Sequence, residues 1–227
     1  MKRVITVLLA ALLVLSLAAC GSGVETKKLA GTWTCTIDVT DRMNAAAEQA
    51  LGLSAADGAA KMPLQLVLTV TEDGAYTLRY DSDAVRTALD AYAAALHPAA
   101  VESVYAAAEE QGLSREEYDA AMEKAGITMD DMVAAIFAGV DEEELLSLLT
   151  GRSAAITGYC RAEGGQLYLA DTAAELAETA DCLSYTLSDG TMTWTDAQGE
   201  LSSQLTEQEQ ELLRVPLTWT KRAEESK

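Results

Sequence analysis

Between Thr32 and Val39 apolar and polar residues alternate, with Trp33, Cys35, Ile37 and Val39 set against Thr32, Thr34, Thr36 and Asp38. A period of two places successive side chains on opposite faces, so this stretch predicts a half-buried strand with one greasy and one hydroxylated side. The alternation recurs at Leu64, Leu66, Leu68 and Val70 and, past Glu72-Asp73-Gly74, at Tyr76, Leu78 and Tyr80, which predicts a hairpin. It returns around Ile156 to Arg161, turns at Glu163-Gly164-Gly165 and resumes at Leu167-Tyr168-Leu169. Leu183, Tyr185 and Leu187 lead through Ser188-Asp189-Gly190 into Met192 and Trp194, the Asp-Gly pair supplying the positive φ angles of a tight turn. Finally Val215, Leu217 and Trp219 alternate with Pro216, Thr218 and Thr220, where the proline suits a strand start or an edge. About eight strands, mostly joined by tight turns, predict a mainly β chain: an antiparallel up-and-down barrel or a strongly curled sheet. Closure makes the first and last strands neighbours across the seam.

The period changes between the third and fourth strands, where a multi-helix insertion is predicted. Val85, Leu89, Tyr92 and Leu96 form one helical stripe, which His97-Pro98 is expected to break. A second helix is expected to start with Pro98 in its first turn, bury Val101, Val104, Tyr105 and Ala108, and stop at Gly112. Three shorter helices follow one formula, beginning at Gly112-Leu113-Ser114, Gly126-Ile127-Thr128 and Gly139-Val140-Asp141. Each has a glycine terminator, an apolar residue, an N-cap and acids in the first turn; Glu117, Asp131 and Glu144 occupy the third helical position. Leu113 with Tyr118, Ile127 with Met132, and Val140 with Leu145 are spaced as hydrophobic staples. These units are too short for helical-pair repeats. A smaller helix from Asp41 to Leu51 ends at Gly52, and Thr172 with Glu175 and Thr206 with Glu209 have capping-box spacing. The expected divisions are residues 28–81 and 152–223 for the two β portions and 82–151 for the insertion.

The first twenty residues have a different logic. Lys2 and Arg3 precede an apolar run from Val4 to Ala18, and small residues lead to a cysteine, the layout of an export signal. Leu17-Ala18-Ala19-Cys20 closely resembles the lipobox of bacterial lipoproteins. An ordinary cleaved signal or an uncleaved anchor are the other readings of such a leader. The resemblance implies cleavage before Cys20, a signal peptide of residues 1–19, acylation of the Cys20 thiol and a lipidated tether over 20–27. The bilayer is then a partner, and the location is the extracytoplasmic side of the cell membrane. A diacylglyceryl group suits this role, because each buried methylene contributes about 0.8 kcal/mol and durable attachment needs more than one chain.

Charge narrows the partners. The chain of 227 residues carries 36 acidic against 16 basic side chains, a formal charge of -20 that moves to about -22 without Lys2 and Arg3. Such a surface repels nucleic acid and anionic headgroups. Three cysteines remain after Cys20. Export permits a disulfide, and Cys160 with Cys182 is the preferred pair, since a short strand and loop separate them; three small buried thiols are the competing reading. Their spacing lacks the doublets of a zinc site.

Gly31-Thr32-Trp33 at the start of the first strand is similar to the Gly-x-Trp signature of lipocalins and lipocalin-like bacterial lipoproteins, and the strand tally agrees with it. The resemblance covers the two β portions. It implies that the tryptophan packs at the closed end of a barrel beneath a basic side chain near the last strand, by position Lys221 or Arg222. The second motif of that family, of Thr-Asp-Tyr type, is absent from Thr179-Ala180-Asp181-Cys182, and the helical segment interrupts the strands.

Catalytic patterns are missing. His97 is the single histidine, so a His-based zinc site or a Ser-His-Asp triad would depend on it entirely, and a junction or capping role is expected instead. No nucleophile elbow, phosphate-binding glycine loop or Ser-x-x-Lys motif occurs. Asp130-Asp131 and the acids from Asp141 to Glu144 suit the positive ends of helices better than calcium. The expectation is a protein without catalytic residues, metal or cofactor. The remaining candidates are Trp33, Tyr76, Leu78, Tyr80, Tyr185, Trp194 and Trp219, which would line or plug a barrel interior. Eight strands enclose either packed side chains or one small ligand, here an apolar or amphipathic molecule. The other expectation is an interaction module in which the acidic helices dock an envelope protein, the barrel serving as scaffold; the stripe Met122, Met129 and Met132 reads either as an adaptable groove or as ordinary helix packing.

Overall fold

Eight antiparallel strands close into a barrel in strict sequence order. The computed structural model describes residues 24–53, 61–137, 155–178, 182–198 and 213–223. Its strands are β1 (Gly31–Asp38), β2 (Pro63–Val70), β3 (Ala75–Tyr80), β4 (Ile156–Glu163), β5 (Gln166–Ala170), β6 (Cys182–Ser188), β7 (Thr191–Gln198) and β8 (Leu217–Lys221). The helices are α1 (24–29), α2 (Thr40–Leu51), α3 (Ser82–Glu110), α4 (Arg115–Ala125), α5 (Met129–Phe137) and α6 (Ala173–Leu176). The expected seam exists: Trp33 pairs with Lys221 and Thr34 with Thr220, which leaves neither terminal strand with a bare edge there.

Connection length alternates along the barrel. Tight turns join β2 to β3, β4 to β5 and β6 to β7. In the last of these Asp189 and Gly190 have φ of 47° and 76°, the left-handed pair that a two-residue hairpin requires. The helices fall in the long connections, with α2 between β1 and β2, α3 to α5 between β3 and β4, and α6 between β5 and β6. β8 begins at Leu217, two residues later than the alternation from Val215 suggested, because Pro216 brings no N–H to a ladder.

The chain forms two compact units. One contains the described residues of Met1–Cys35, Leu66–Tyr80 and Ala154–Lys227; the other contains those of Thr36–Gln65 and Asp81–Ser153. In the second unit the break expected at His97-Pro98 does not occur, for α3 runs unbroken through Pro98. Proline removes one helical hydrogen bond and crowds the preceding turn at a cost of about 3 kcal/mol. The buried stripe of Val85, Ala88, Tyr92, Leu96, Ala100 and Ala108 keeps its helical spacing across the proline, and its burial outweighs that cost. His97 therefore sits inside a helix, where its Nε2 lies 3.1 Å from Asp130 Oδ1 on α5.

The helix starts match their sequence signals. Ser114 and Glu117 form a reciprocal capping box, as do Thr172 and Glu175. At α5 the shorter Asp131 completes the same exchange, accepting from the Thr128 amide at 2.8 Å while its own amide donates to Thr128 Oγ1 at 3.1 Å. The helix expected at Asp141 and the box at Thr206 and Glu209 lie outside the described residues.

Candidate functional site

The alternation fixes which side chains enter the barrel. Register places Leu66 opposite Tyr80, Leu68 opposite Leu78, Val70 opposite Tyr76, and Tyr76 opposite Gly158. On the far wall Tyr185 faces Trp194, Leu187 faces Met192, and Trp194 and Met192 face Leu217 and Trp219. Cross-strand partners share a face, so Trp33, Tyr76, Leu78, Tyr80, Tyr185, Trp194 and Trp219 all lie on one side of the sheet. Trp33, Tyr76, Leu78, Trp194 and Trp219 are buried, while Tyr80 and Tyr185 are half-buried, as is Leu169 on β5. Gly158 makes room for one of these rings: a Cβ there would meet Tyr76 at 2.9 Å and the Ala170 carbonyl at 2.5 Å.

Trp33 is anchored at both ends. Its indole N–H donates to the Leu29 carbonyl at 2.7 Å, and the Lys221 ammonium stands 5.3 Å from its ring centroid, within cation–π range. Of the two basic candidates, the one over the ring is Lys221. Gly31 admits the lysine stem, since a Cβ there would meet Lys221 Cε at 2.7 Å, and its φ of 127° favours glycine independently.

α1 (24–29) forms part of this unit, where a tether over 20–27 is expected from the lipobox resemblance. Leu29 is buried, and so is Thr26, whose hydroxyl accepts from the Ala162 amide on β4 at 3.0 Å. One residue earlier, the Glu25 carboxylate helps to hold the Tyr185 phenol above its ordinary pKa, a shift dominated by burial of the ring itself. The available signal was the spacing of Thr26 and Leu29 on one helical face, three residues apart, directly after the glycine-rich segment.

Among the described residues, three polar atoms of this wall and α1 are buried without a hydrogen-bond partner: Trp194 Nε1, Trp219 Nε1 and Glu25 Oε2. The two indoles are neighbours, with centroids 4.8 Å apart and planes at 48°. A fourth such atom, Arg161 Nε, belongs to the opposite face, where the guanidinium covers Tyr168 at 4.3 Å and contacts Glu163 at 2.6 Å.

The preferred disulfide is not present. Cys35, Cys160 and Cys182 are all buried free thiols. Cys160 is opposite Leu169 and Cys182 opposite Tyr168, adjacent residues of the intervening strand β5. Adjacent strand residues point to opposite faces, so the two thiols stand on different sides of the sheet with a strand between them. Burial pushes the Cys160 thiol up to about 12 and the Cys35 thiol up to about 11. Cys182 instead donates to Gln166 Oε1 at 3.2 Å on the outer face.

Among the described residues no cluster of three or more His, Cys, Asp or Glu side chains is placed to hold a metal ion, and no helix is long and apolar enough to cross a membrane. What the arrangement offers chemically is an apolar, aromatic face with a few buried polar atoms left without partners, a composition compatible with binding a small molecule. The chain matches no protein family, no curated protein and no solved structure.

Proposed function

We propose that this chain is a lipid-anchored extracytoplasmic protein, lipocalin-like in its barrel, that binds a small apolar or amphipathic molecule against the inner aromatic face. The observation that carries the reading is the one-sided placement of Trp33, Tyr76, Leu78, Tyr80, Tyr185, Trp194 and Trp219 in a closed eight-stranded wall. The half-burial of Leu169 and Tyr185 on that face supports a cup over a plug. The pairing of Trp33 with Lys221 supports the likeness to lipocalins, and the lipobox-like Leu17-Ala18-Ala19-Cys20 supports the anchor. The test is native mass spectrometry of the purified protein, with the mass of its N-terminal peptide read in parallel. A co-purifying small molecule and a diacylglyceryl adduct on Cys20 are the expected results; an apo mass and an unmodified cysteine would refute the cup and the anchor separately.

A second reading has its own observation. Leu113 and Ile127 precede the caps of α4 and α5 yet stay 39% and 42% exposed, apolar side chains left to solvent on an acidic helical unit. This favours docking of an envelope protein through the insertion. An apo mass together with crosslinks from positions 113 and 127 to an envelope protein would select it.

A further inference from the structure

Two indole N–H donors and one carboxylate oxygen without partners make an unusual inventory for an otherwise apolar interior. Trp194 is 6% exposed and Trp219 fully buried, so neither N–H is open to solvent, and among the described residues none supplies an acceptor to either. Buried donors are normally paired, because an unmatched one forfeits its hydration with nothing in return. The two rings are in contact, and Trp194 pairs across strands with Tyr185, the phenol that feels Glu25. Glu25 Oε2 is itself enclosed and unpaired. All four residues belong to the same compact unit.

The complement of such a set is a group that accepts from N–H and donates to a carboxylate. A hydroxyl does both. An ester carbonyl satisfies the indoles as well, whereas a free carboxylate only accepts and offers no donor to the unpaired Glu25 Oε2. We propose that the barrel interior takes the uncharged polar end of an amphipathic molecule, a hydroxyl or ester headgroup of the acylglycerol type, at Trp194, Trp219 and Glu25, and discriminates against a free fatty acid. This deepens the ligand-cup reading and rests on it. Both N–H groups are buried, so headgroup access displaces a neighbouring side chain. All three tryptophans of the chain line this interior, and their emission reports the displacement directly.

The test titrates the purified full chain with 1-decanoylglycerol and with decanoate, both below their critical micelle concentrations, following tryptophan emission and heat. The expected result is at least tenfold tighter binding of the glycerol ester, with a shift in emission. Trp194→Phe and Trp219→Phe, which delete the N–H but keep an aromatic ring, each weaken the ester about tenfold and leave decanoate unchanged; Glu25→Gln narrows the preference. Equal or tighter binding of decanoate to the unmodified chain overturns the headgroup assignment while leaving the cup intact. Binding of neither probe overturns the cup reading and this inference together.

Discussion

Lys221 and Trp33 are cross-strand partners at the seam, and the lysine ammonium lies over the indole. The contact joins the last strand to the first, so its loss weakens closure itself. Lys221→Ala is expected to cost about 1 kcal/mol, the scale of an exposed cation–π contact, and to lower Tm by about 2–4 °C. Lys221→Arg retains the charge over the ring and stays near the parent value. Trp33→Ala, which empties a fully buried site and frees the Leu29 carbonyl, is expected to cost about 3–5 kcal/mol in thermal or denaturant unfolding.

The thiols give a prediction about alkali. Burial pushes the Cys160 thiol up to about 12 and the Cys35 thiol up to about 11, against an ordinary value of 9.0. Below the ordinary value both states keep the proton and stability is unaffected by these groups; above it the unfolded chain ionises first. Stability is therefore expected to fall as pH rises from about 9 through the folded values, and Cys160→Ala flattens that decline. Denaturant midpoints measured between pH 8 and 11 check it. A thiol reagent at pH 8 is expected to spare Cys160 in the native state and to titrate it after unfolding, and a peptide map without reductant shows no Cys160–Cys182 bridge.

The capping boxes predict the acid side. Ser114→Ala is expected to cost about 1 kcal/mol, read as a lowered unfolding midpoint. Hydrogen bonds from the Ser114 and Thr128 amides and hydroxyls hold the Glu117 and Asp131 carboxyls below their ordinary values. Their contribution is present above the ordinary carboxylate range and is lost as pH falls through the lowered values, so the fraying of α4 and α5 follows acidification. Carboxyl titration by NMR measures both groups directly.

Pro98 predicts a stabilising change. Pro98→Ala restores an N–H to the middle of α3 and removes the ring from the preceding turn, and is expected to raise stability by about 1–3 kcal/mol. Helicity by circular dichroism and the thermal midpoint both rise.

Much of the barrel was readable because strand alternation is local: Trp33 with Cys35 and Ile37, or Leu66 with Leu68 and Val70, declare a face without reference to anything distant. The seam followed from the same counting, and a basic side chain over Trp33, at Lys221 or Arg222, from the resemblance that Gly31-Thr32-Trp33 carries. Pro98 was misread because a steric rule about one residue yielded to six buried positions spread along α3. Cys160 and Cys182 were misread because proximity in sequence was weighed without parity; the pairing of β5 with both neighbours decides which face each thiol takes. Glu25 and Thr26 are hard to see beside Gly21-Ser22-Gly23, since the six residues of α1 offer a single spaced pair, Thr26 with Leu29, as periodic signal. The pairing of Trp194 with Trp219 is a contact between different strands, and alternation within either strand says nothing about ring contact.

The hydrogen bond that the Ala162 amide donates to the Thr26 hydroxyl has a mechanical consequence. A pull on the chain upstream of α1 is taken up at β4, three strands away from β1, before it reaches the first strand. Peeling at the seam must wait until that stitch has given way, so the wall resists tension from its leading end better than ladder pairing alone would allow.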